Sequence, residues 1–331
     1  MVRFGIIGTN WITDRLISDA SEIEDFSVHA IYSRTEKRAS EFAEKYNVEH
    51  TYTNLETFAK SKEIDAVYIA SPNALHKEQA ILCMKHGKHV LVEKPIGSNE
   101  KEVKEMIEVA KENNVLLMEA LKTTLLPNFE TVAANLHKIG KVRRYFASFC
   151  KYSSRYDKYK EGTVLNAFKP ELSNGSLMDI GIYCIYPMIM LFGNPSSLQA
   201  NSYMLESGVD GQGSIIFDYE EEGINGMVMY SKISNSYVPS EIQGENGSIL
   251  LDNISDPTKV EIKYKDGSIE DITVDQKSNT MYYEVKHFID LIQNGKTESD
   301  VNTYEKALTT IKVIEIARKQ VGITFPADKK W

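Results

Sequence analysis

The chain has 331 residues, 42% hydrophobic and 26% charged, with a formal net charge of −9. That length suits two globular cores, and the composition excludes the disordered and fibrous classes. A negative chain with no cluster of Lys and Arg argues against nucleic acid as a partner, because neutralising a phosphate backbone needs concentrated positive charge.

In the first third, short apolar runs alternate with amphipathic stretches, the pattern of parallel strands joined by crossover helices. Strands are expected at 2–7, 27–33, 66–70, 88–92 and 115–118, and helices at 11–20, 35–46, 74–85 and 100–113. Gly87 suits the left-handed end of one helix, and Ser98 or Asn99 suits the start of the next. After residue 121 a helix at 128–138 is followed by runs rich in Tyr, Ile, Val and Ser at 143–152, 213–219, 226–233 and 259–264. Asp266-Gly267 signals a hairpin before a strand at 269–274. The fold class is therefore α/β, a doubly wound Rossmann domain at 1–120 and an α/β domain at 121–331 with a mostly antiparallel open sheet. Helices at 281–293 and 303–321 are expected to pack back toward the first domain.

The chain opens directly on a strand, without the basic and apolar segments of a secretion signal, and no apolar run approaches the ~18 residues of a membrane span. Cys83, Cys150 and Cys184 are odd in number and lack metal-ligand spacing, which points to free thiols in a reducing, cytoplasmic setting with no metal site. Neither a membrane nor a nucleic acid is expected as a partner.

The first strand runs into Gly8-Thr9-Asn10-Trp11-Ile12-Thr13, the place of a dinucleotide-binding turn. Gly8 matches the first glycine of that fingerprint, Asn10 stands at the second position and Thr13 at the third. Asn tolerates left-handed backbone angles better than most residues. The second strand ends in Ser33-Arg34 with Lys37 and Arg38 close behind, where NAD-specific folds carry an acidic residue for the ribose hydroxyls. A 2′-phosphate fits these cations better than a bare ribose does, so NADP(H) is the expected cofactor.

At the ends of the next strands stand Ser71-Pro72-Asn73-Ala74-Leu75-His76 and Val92-Glu93-Lys94-Pro95. With Met118-Glu119-Ala120 at the domain junction, these segments resemble the glucose-fructose oxidoreductase and inositol dehydrogenase family (Gfo/Idh/MocA). The resemblance spans essentially the whole chain. It implies that Lys94 is the active-site lysine and that Gly8, Thr9, Asn10, Trp11, Ile12, Ser33, Arg34, Arg38, Ser71, Pro72, Asn73, His76, Glu93, Lys94 and Glu119 border the cofactor. A third segment, from Asn174-Gly175-Ser176 through Asp179 to Tyr183, resembles the helix start of the family's second domain. The inositol dehydrogenase branch usually has His at the Tyr183 position, whereas Tyr is typical of the glucose-fructose oxidoreductase and dihydrodiol dehydrogenase branch.

The activity so implied is hydride transfer between nicotinamide C4 and a secondary alcohol or ketone of a cyclitol or sugar, with scyllo-inositol and its inosose as the pair. Aldose or trans-dihydrodiol oxidation is the alternative within the class, and a noncatalytic NADP-binding regulator or a nicotinamide-dependent glycosidase the alternative outside it. Lys94 and Tyr183 form the acid-base pair, either of which can carry the proton because coupled groups titrate together. Asp179, one helical turn from Tyr183, hydrogen-bonds a neighbouring substrate hydroxyl and balances Lys94. Lys122, Arg155, Tyr156 and Asn166 are further polyol contacts, although many relatives carry Arg at the Asn166 position. The resemblance also implies a homodimer or homotetramer.

Overall fold

A computed structural model describes residues 1–329, in two compact units: Met1–Lys122 with Lys277–Ala307, and Thr123–Gln276 with the chain from Leu308 onward. Residues 330 and 331, at the end of the expected second domain, lie outside the described residues.

The first unit is built on a parallel sheet of β1 (Val2–Ile7), β2 (Phe26–Tyr32), β3 (His50–Tyr52), β4 (Ala66–Ile69), β5 (His89–Glu93) and β6 (Leu117–Ala120). The strand order is β3-β2-β1-β4-β5-β6, so the direction of winding reverses between β1 and β4. Ligands of such sheets bind outside the carboxyl ends of the strands at that reversal. Helices α1 (Trp11–Ala20), α2 (Glu36–Tyr46), α3 (Leu55–Ala59), α4 (His76–Lys85) and α5 (Glu100–Glu112) cross over between strands. β4 is buried at every position, as a strand covered on both faces must be. β3 and α3 were not among the expected elements; at three and five residues they are too short to show a period.

The second unit carries β7 (Val142–Cys150), β8 (Ser197–Met204), β9 (Asp210–Tyr219), β10 (Ile224–Ser231), β11 (Ser240–Gly244), β12 (Gly247–Leu251), β13 (Val260–Tyr264) and β14 (Ile269–Asp271). Their order is β14-β13-β12-β11-β7-β10-β9-β8, antiparallel throughout except where β7 meets β10. Three of these strands, β8, β11 and β12, are absent from the sequence expectation. β8 alternates exposed and half-buried residues and holds few large apolar groups, so its period carries little hydrophobic contrast. Helices α6 (Pro127–Asn135), α7 (Ser154–Lys160) and α8 (Ile182–Phe192) accompany this sheet. One helical run among the described residues, Pro170–Phe192, is long and apolar enough on average to cross a membrane, although Glu171 and Asp179 interrupt its apolar residues; most of it is buried within the protein, as a core helix is.

Helix α9 (Met281–Gln293) belongs to the first unit, where Phe288 packs on Phe4 of β1 with ring centroids 5.9 Å apart. The last helix, α10, spans Tyr304–Gln320.

Candidate active site

In the first unit the turn between β1 and α1 is fixed from three sides. Gly8 has φ +108°, and a Cβ there would lie 2.6 Å from the carbonyl oxygen of Ala70. Asn10 caps α1: its Oδ1 accepts from the Ile12 N–H at 3.0 Å while its Nδ2 donates to the Ala70 carbonyl at 2.7 Å. Buried Thr13 donates its hydroxyl to the Gly8 carbonyl at 2.5 Å, which is how a polar residue is accommodated where the fingerprint has glycine or alanine. Trp11 is exposed at the start of the helix, with Thr9 and Ile12 partly exposed beside it. The first turn of α1 thus offers its N–H groups and the positive end of its dipole to an anion.

The end of β2 supplies cations. Ser33 is half-buried and held by its N–H on the Tyr52 carbonyl at 3.1 Å, whereas Arg34 and Arg38 are exposed. Arg38 reaches the carbonyl of Thr9 at 3.4 Å, which ties this cationic end to the α1 turn.

The segments after β4 and β5 are joined by His76. Its Nδ1 lies 3.0 Å from the carbonyl of Pro95 and its Nε2 lies 2.9 Å from that of Ser71. Two carbonyl acceptors favour the imidazolium, but complete burial dominates and pushes its pKa down to about 4, with Lys94 adding to the effect. The neutral ring has one N–H and so donates to one of the two carbonyls at a time. Ser71 donates to Gln79 at 2.6 Å, while Pro72 and Asn73 lead into a short 3-10 turn before α4.

Glu93 accepts from the Tyr68 hydroxyl at 2.6 Å and from the Lys94 N–H at 3.2 Å, so the strand end carrying Lys94 is held through the preceding side chain. The Lys94–Pro95 peptide is cis. Glu119, on β6, accepts from the Ile96 N–H at 2.9 Å with one oxygen, while the other has no hydrogen-bond partner among the described residues. Burial raises its pKa to about 8, although the Ile96 N–H and Lys94 both oppose the shift. Lys122 follows β6 and donates to the Thr280 hydroxyl at 2.5 Å, as does Arg15 at 3.1 Å. Buried Glu284 of α9 was not foreseen. Burial, with Glu93 reinforcing it, drives its carboxyl well above the usual range against the pull of Lys122 and Arg15.

In the second unit Asp179 stands on a single π-helical turn, Leu177–Gly181, that precedes α8, and Tyr183 stands in the first turn of α8. The start of this run is capped from β9: Asp210 accepts from the N–H groups of Ser176 at 3.1 Å and Leu177 at 2.7 Å. Gly175 has φ +144°, and a Cβ there would meet the Asp210 carboxylate at 2.3 Å, which gives the Asn174-Gly175-Ser176 segment its physical reason. Burial raises the Asp210 pKa to about 6, against those N–H groups and Lys232.

The Tyr183 ring meets Phe149 edge-on at 5.5 Å, and the Asp179 carboxylate forms an ion pair with Lys232, a residue the sequence did not single out. Arg155 and Tyr156 lie half-buried on α7, where Tyr156 stacks on Tyr159 at 5.9 Å and meets Phe168 edge-on at 6.0 Å. Asn166 is exposed on the 3-10 turn that leads to Phe168. Lys94 and every cofactor-bordering candidate therefore belong to the first unit; Asp179, Tyr183, Arg155, Tyr156 and Asn166 belong to the second.

Two family models match the chain: "Oxidoreductase family, NAD-binding Rossmann fold" over residues 2–121 and "GFO/IDH/MocA C-terminal domain" over residues 134–250. The chain is 58% identical to the scyllo-inositol 2-dehydrogenase (NADP(+)) IolU of Bacillus subtilis, covering 99% of this chain and 100% of that protein. It is 29% identical to the trans-1,2-dihydrobenzene-1,2-diol dehydrogenase of Mus musculus, with 99% of both chains covered. Among solved structures, KijD10, a 3-ketoreductase from Actinomadura kijaniata in complex with NADP and TDP-benzene, superimposes with TM-score 0.85 at 23% identity, over 97% of this chain and 98% of that one. Matches to both domain models, and identity sustained from end to end, agree with the Pro-Asn-x-x-His and Glu-Lys-Pro segments in making this chain a member of the GFO/IDH/MocA oxidoreductase family.

Proposed function

We propose that the protein is an NADP(H)-dependent dehydrogenase that interconverts a cyclitol alcohol and its ketone, with scyllo-inositol and its inosose as the pair. The observation that carries this is the 58% identity to IolU across the full length of both chains. The bare backbone of Gly8, the capped N-terminus of α1 and the cationic end of β2 fit a dinucleotide that bears an extra phosphate. Bound NADP(H) would supply or accept the hydride at nicotinamide C4.

The chain's own residues supply the rest. Arg34, with Ser33 and Arg38, binds the 2′-phosphate, a charge-assisted contact that a ribose hydroxyl cannot match. Thr9, Asn10, Trp11 and Ile12 would hold the pyrophosphate of the cofactor, and Ser71, Pro72, Asn73, His76, Glu93 and Glu119 would complete the cofactor site. Lys94 polarises the substrate oxygen and favours the phenolate of Tyr183, which exchanges the hydroxyl proton. Asp179 accepts a hydrogen bond from a neighbouring hydroxyl, and Lys122, Arg155, Tyr156 and Asn166 complete the polyol contacts. The three free thiols, two of them buried, support residence in the cytoplasm, and the open sheet of the second unit supports a homodimer or homotetramer.

A second reading, oxidation of a trans-dihydrodiol, is favoured by the full-length similarity to the mammalian diol dehydrogenases. A panel of scyllo-inosose, scyllo-inositol, myo-inositol, glucose, xylose and a trans-dihydrodiol, followed at the NADPH absorbance, separates the two. The expected result is the highest kcat/KM on the scyllo-inosose and scyllo-inositol pair. A preference for the dihydrodiol would replace this reading with the second.

A further inference from the structure

Asp210 opens β9, is 1% exposed, and holds the segment that carries both Asp179 and Tyr183. Its two carboxylate oxygens have separate tasks: Oδ1 accepts from the Ser176 N–H at 3.1 Å and Oδ2 from the Leu177 N–H at 2.7 Å. The first N–H groups of a helix have no partner within it, and here a strand 33 residues along the chain supplies one. Gly175 keeps that approach open, because a Cβ there would stand 2.3 Å from the same Oδ1. At the other end of the turn a Cβ on Gly181 would meet the Tyr230 ring at 3.2 Å, so Leu177–Gly181 is gripped between β9 and β10. A π-helical turn of this kind is rare and recurs at functional sites.

An acceptor for backbone N–H groups need not carry a charge. Burial raises the pKa of this one from 3.8 to about 6, against the N–H groups of Leu177, of Asp210 itself and of Ser176, and against Lys232. The folded state thus binds the proton more tightly than the unfolded chain does, so the group's contribution to stability is complete below 3.8 and is lost as pH rises toward 6. A buried carboxylate at neutral pH is therefore a poor device for stability. It is a good one for placement, because an ionised acceptor holds an N–H about twice as strongly as a neutral one. The groups that face it are Lys232, which follows β10 and pairs with Asp179, and the Tyr230 phenol, which burial and Asp210 both keep protonated.

We propose that Asp210 is a positioning residue of the dehydrogenase: by gripping the N–H groups of Ser176 and Leu177 it sets where Asp179 and Tyr183 present their side chains to the substrate. This rests on the polyol dehydrogenase reading above. It makes the reaction depend on the protonation of a carboxyl that is buried away from solvent. A protonated carboxyl keeps one strong acceptor oxygen, so one of the two N–H groups loses its hold and the turn shifts; a displacement of about 1 Å is enough to slow a reaction by up to about 10²-fold.

The test is reduction of scyllo-inosose at saturating NADPH by the full-length wild type and Asp210→Asn, from about pH 5 to about pH 8, with Tm and the NADPH Kd measured alongside. Asn keeps the size and one acceptor oxygen and cannot ionise. The reductive direction is used because acid does not deplete the proton donor. At about pH 8 Asp210→Asn should lower kcat/KM about 10-fold, with the NADPH Kd within about twofold of wild type and Tm no more than about 5 °C below it. Toward pH 5 the wild type should lose about fivefold in kcat/KM while the variant stays flat, so that the two meet within about twofold. A merely structural loss would lower the variant by one factor at every pH.

Wild-type rates in Asp210→Asn near neutral pH, or a ratio between the two proteins that does not change with pH, overturns the proposal. Where the variant fails to fold, the wild type carries the test: a fall in kcat/KM centred near 6 supports the proposal, and a flat profile overturns it. Absence of any reduction of scyllo-inosose by the wild type overturns instead the reading on which it rests.

Discussion

The carbonyl oxygen of Ala70 occupies the space a side chain at Gly8 would need, 2.6 Å from the ideal Cβ position. The same oxygen accepts from Asn10, so the close approach of β1 and β4 and the capping of α1 are one arrangement. With φ at +108°, Gly8→Ala is strained by its backbone as well as by contact. We expect a loss of about 2 kcal/mol in stability and a weaker NADPH complex. A urea titration with and without NADPH reads both, and an unchanged midpoint would show that the turn relaxes freely.

Lys94→Ala removes the positive centre assigned to the reacting oxygen but leaves the β1–α1 turn and the β2 cations intact. Turnover should fall about 10³-fold or more while NADPH binding persists within a few-fold. Fluorescence titration of NADPH beside single-turnover kinetics distinguishes this from a loss of cofactor binding. Near-normal turnover would remove Lys94 from the chemistry.

Arg34 is exposed at the end of β2 and has no acidic residue beside it in the sequence Ile31-Tyr32-Ser33-Arg34-Thr35. Arg34→Ala should weaken NADPH by about 2 kcal/mol and NADH by much less, because only NADPH carries the phosphate that the guanidinium pairs with. Equal losses for both dinucleotides would place the source of cofactor preference elsewhere.

Two buried groups at the strand ends give stability opposite pH dependences. Glu119 is raised from 4.5 to about 8, so the folded state binds its proton more tightly; its contribution is complete below 4.5 and is lost as pH rises toward 8. His76 is lowered from 6.5 to about 4, so its contribution is complete above 6.5 and is lost as pH falls toward 4. Glu119→Gln keeps an acceptor for the Ile96 N–H and removes the titration. Its Tm should decline less than that of the wild type between neutral pH and pH 8, and an equal decline would mean that Glu119 is ionised throughout.

Local chemistry explains how much of this was legible in the sequence. β1 and α1 are predicted with the observed ends, because an apolar strand, a single glycine and a capping Asn10 all specify the same boundary. α4 begins later than expected, since Asn73–Leu75 tightens into a 3-10 turn. Strands β8, β11 and β12 are silent because their partners, not their own periods, make them strands. The motif residues were legible from type and order, but their partners were not. The resemblance assigns Asp179 to balance Lys94, while within its own unit Asp179 pairs with Lys232, 53 residues along the chain. Nothing in the run Tyr230-Ser231-Lys232 announces that pairing, and Glu284 reads as one more charge on an amphipathic helix until the fold buries it near Glu93, Lys122 and Arg15.

The direct test of the proposed chemistry is isotopic: scyllo-inosose is turned over with NADPH deuterated at nicotinamide C4, on each face in turn, and the product is analysed by mass spectrometry. Transfer of the label to a ring carbon of scyllo-inositol from one face only is the predicted result. An unlabelled product from both forms, or NADPH returned unconsumed, would contradict hydride transfer between this cofactor and a cyclitol.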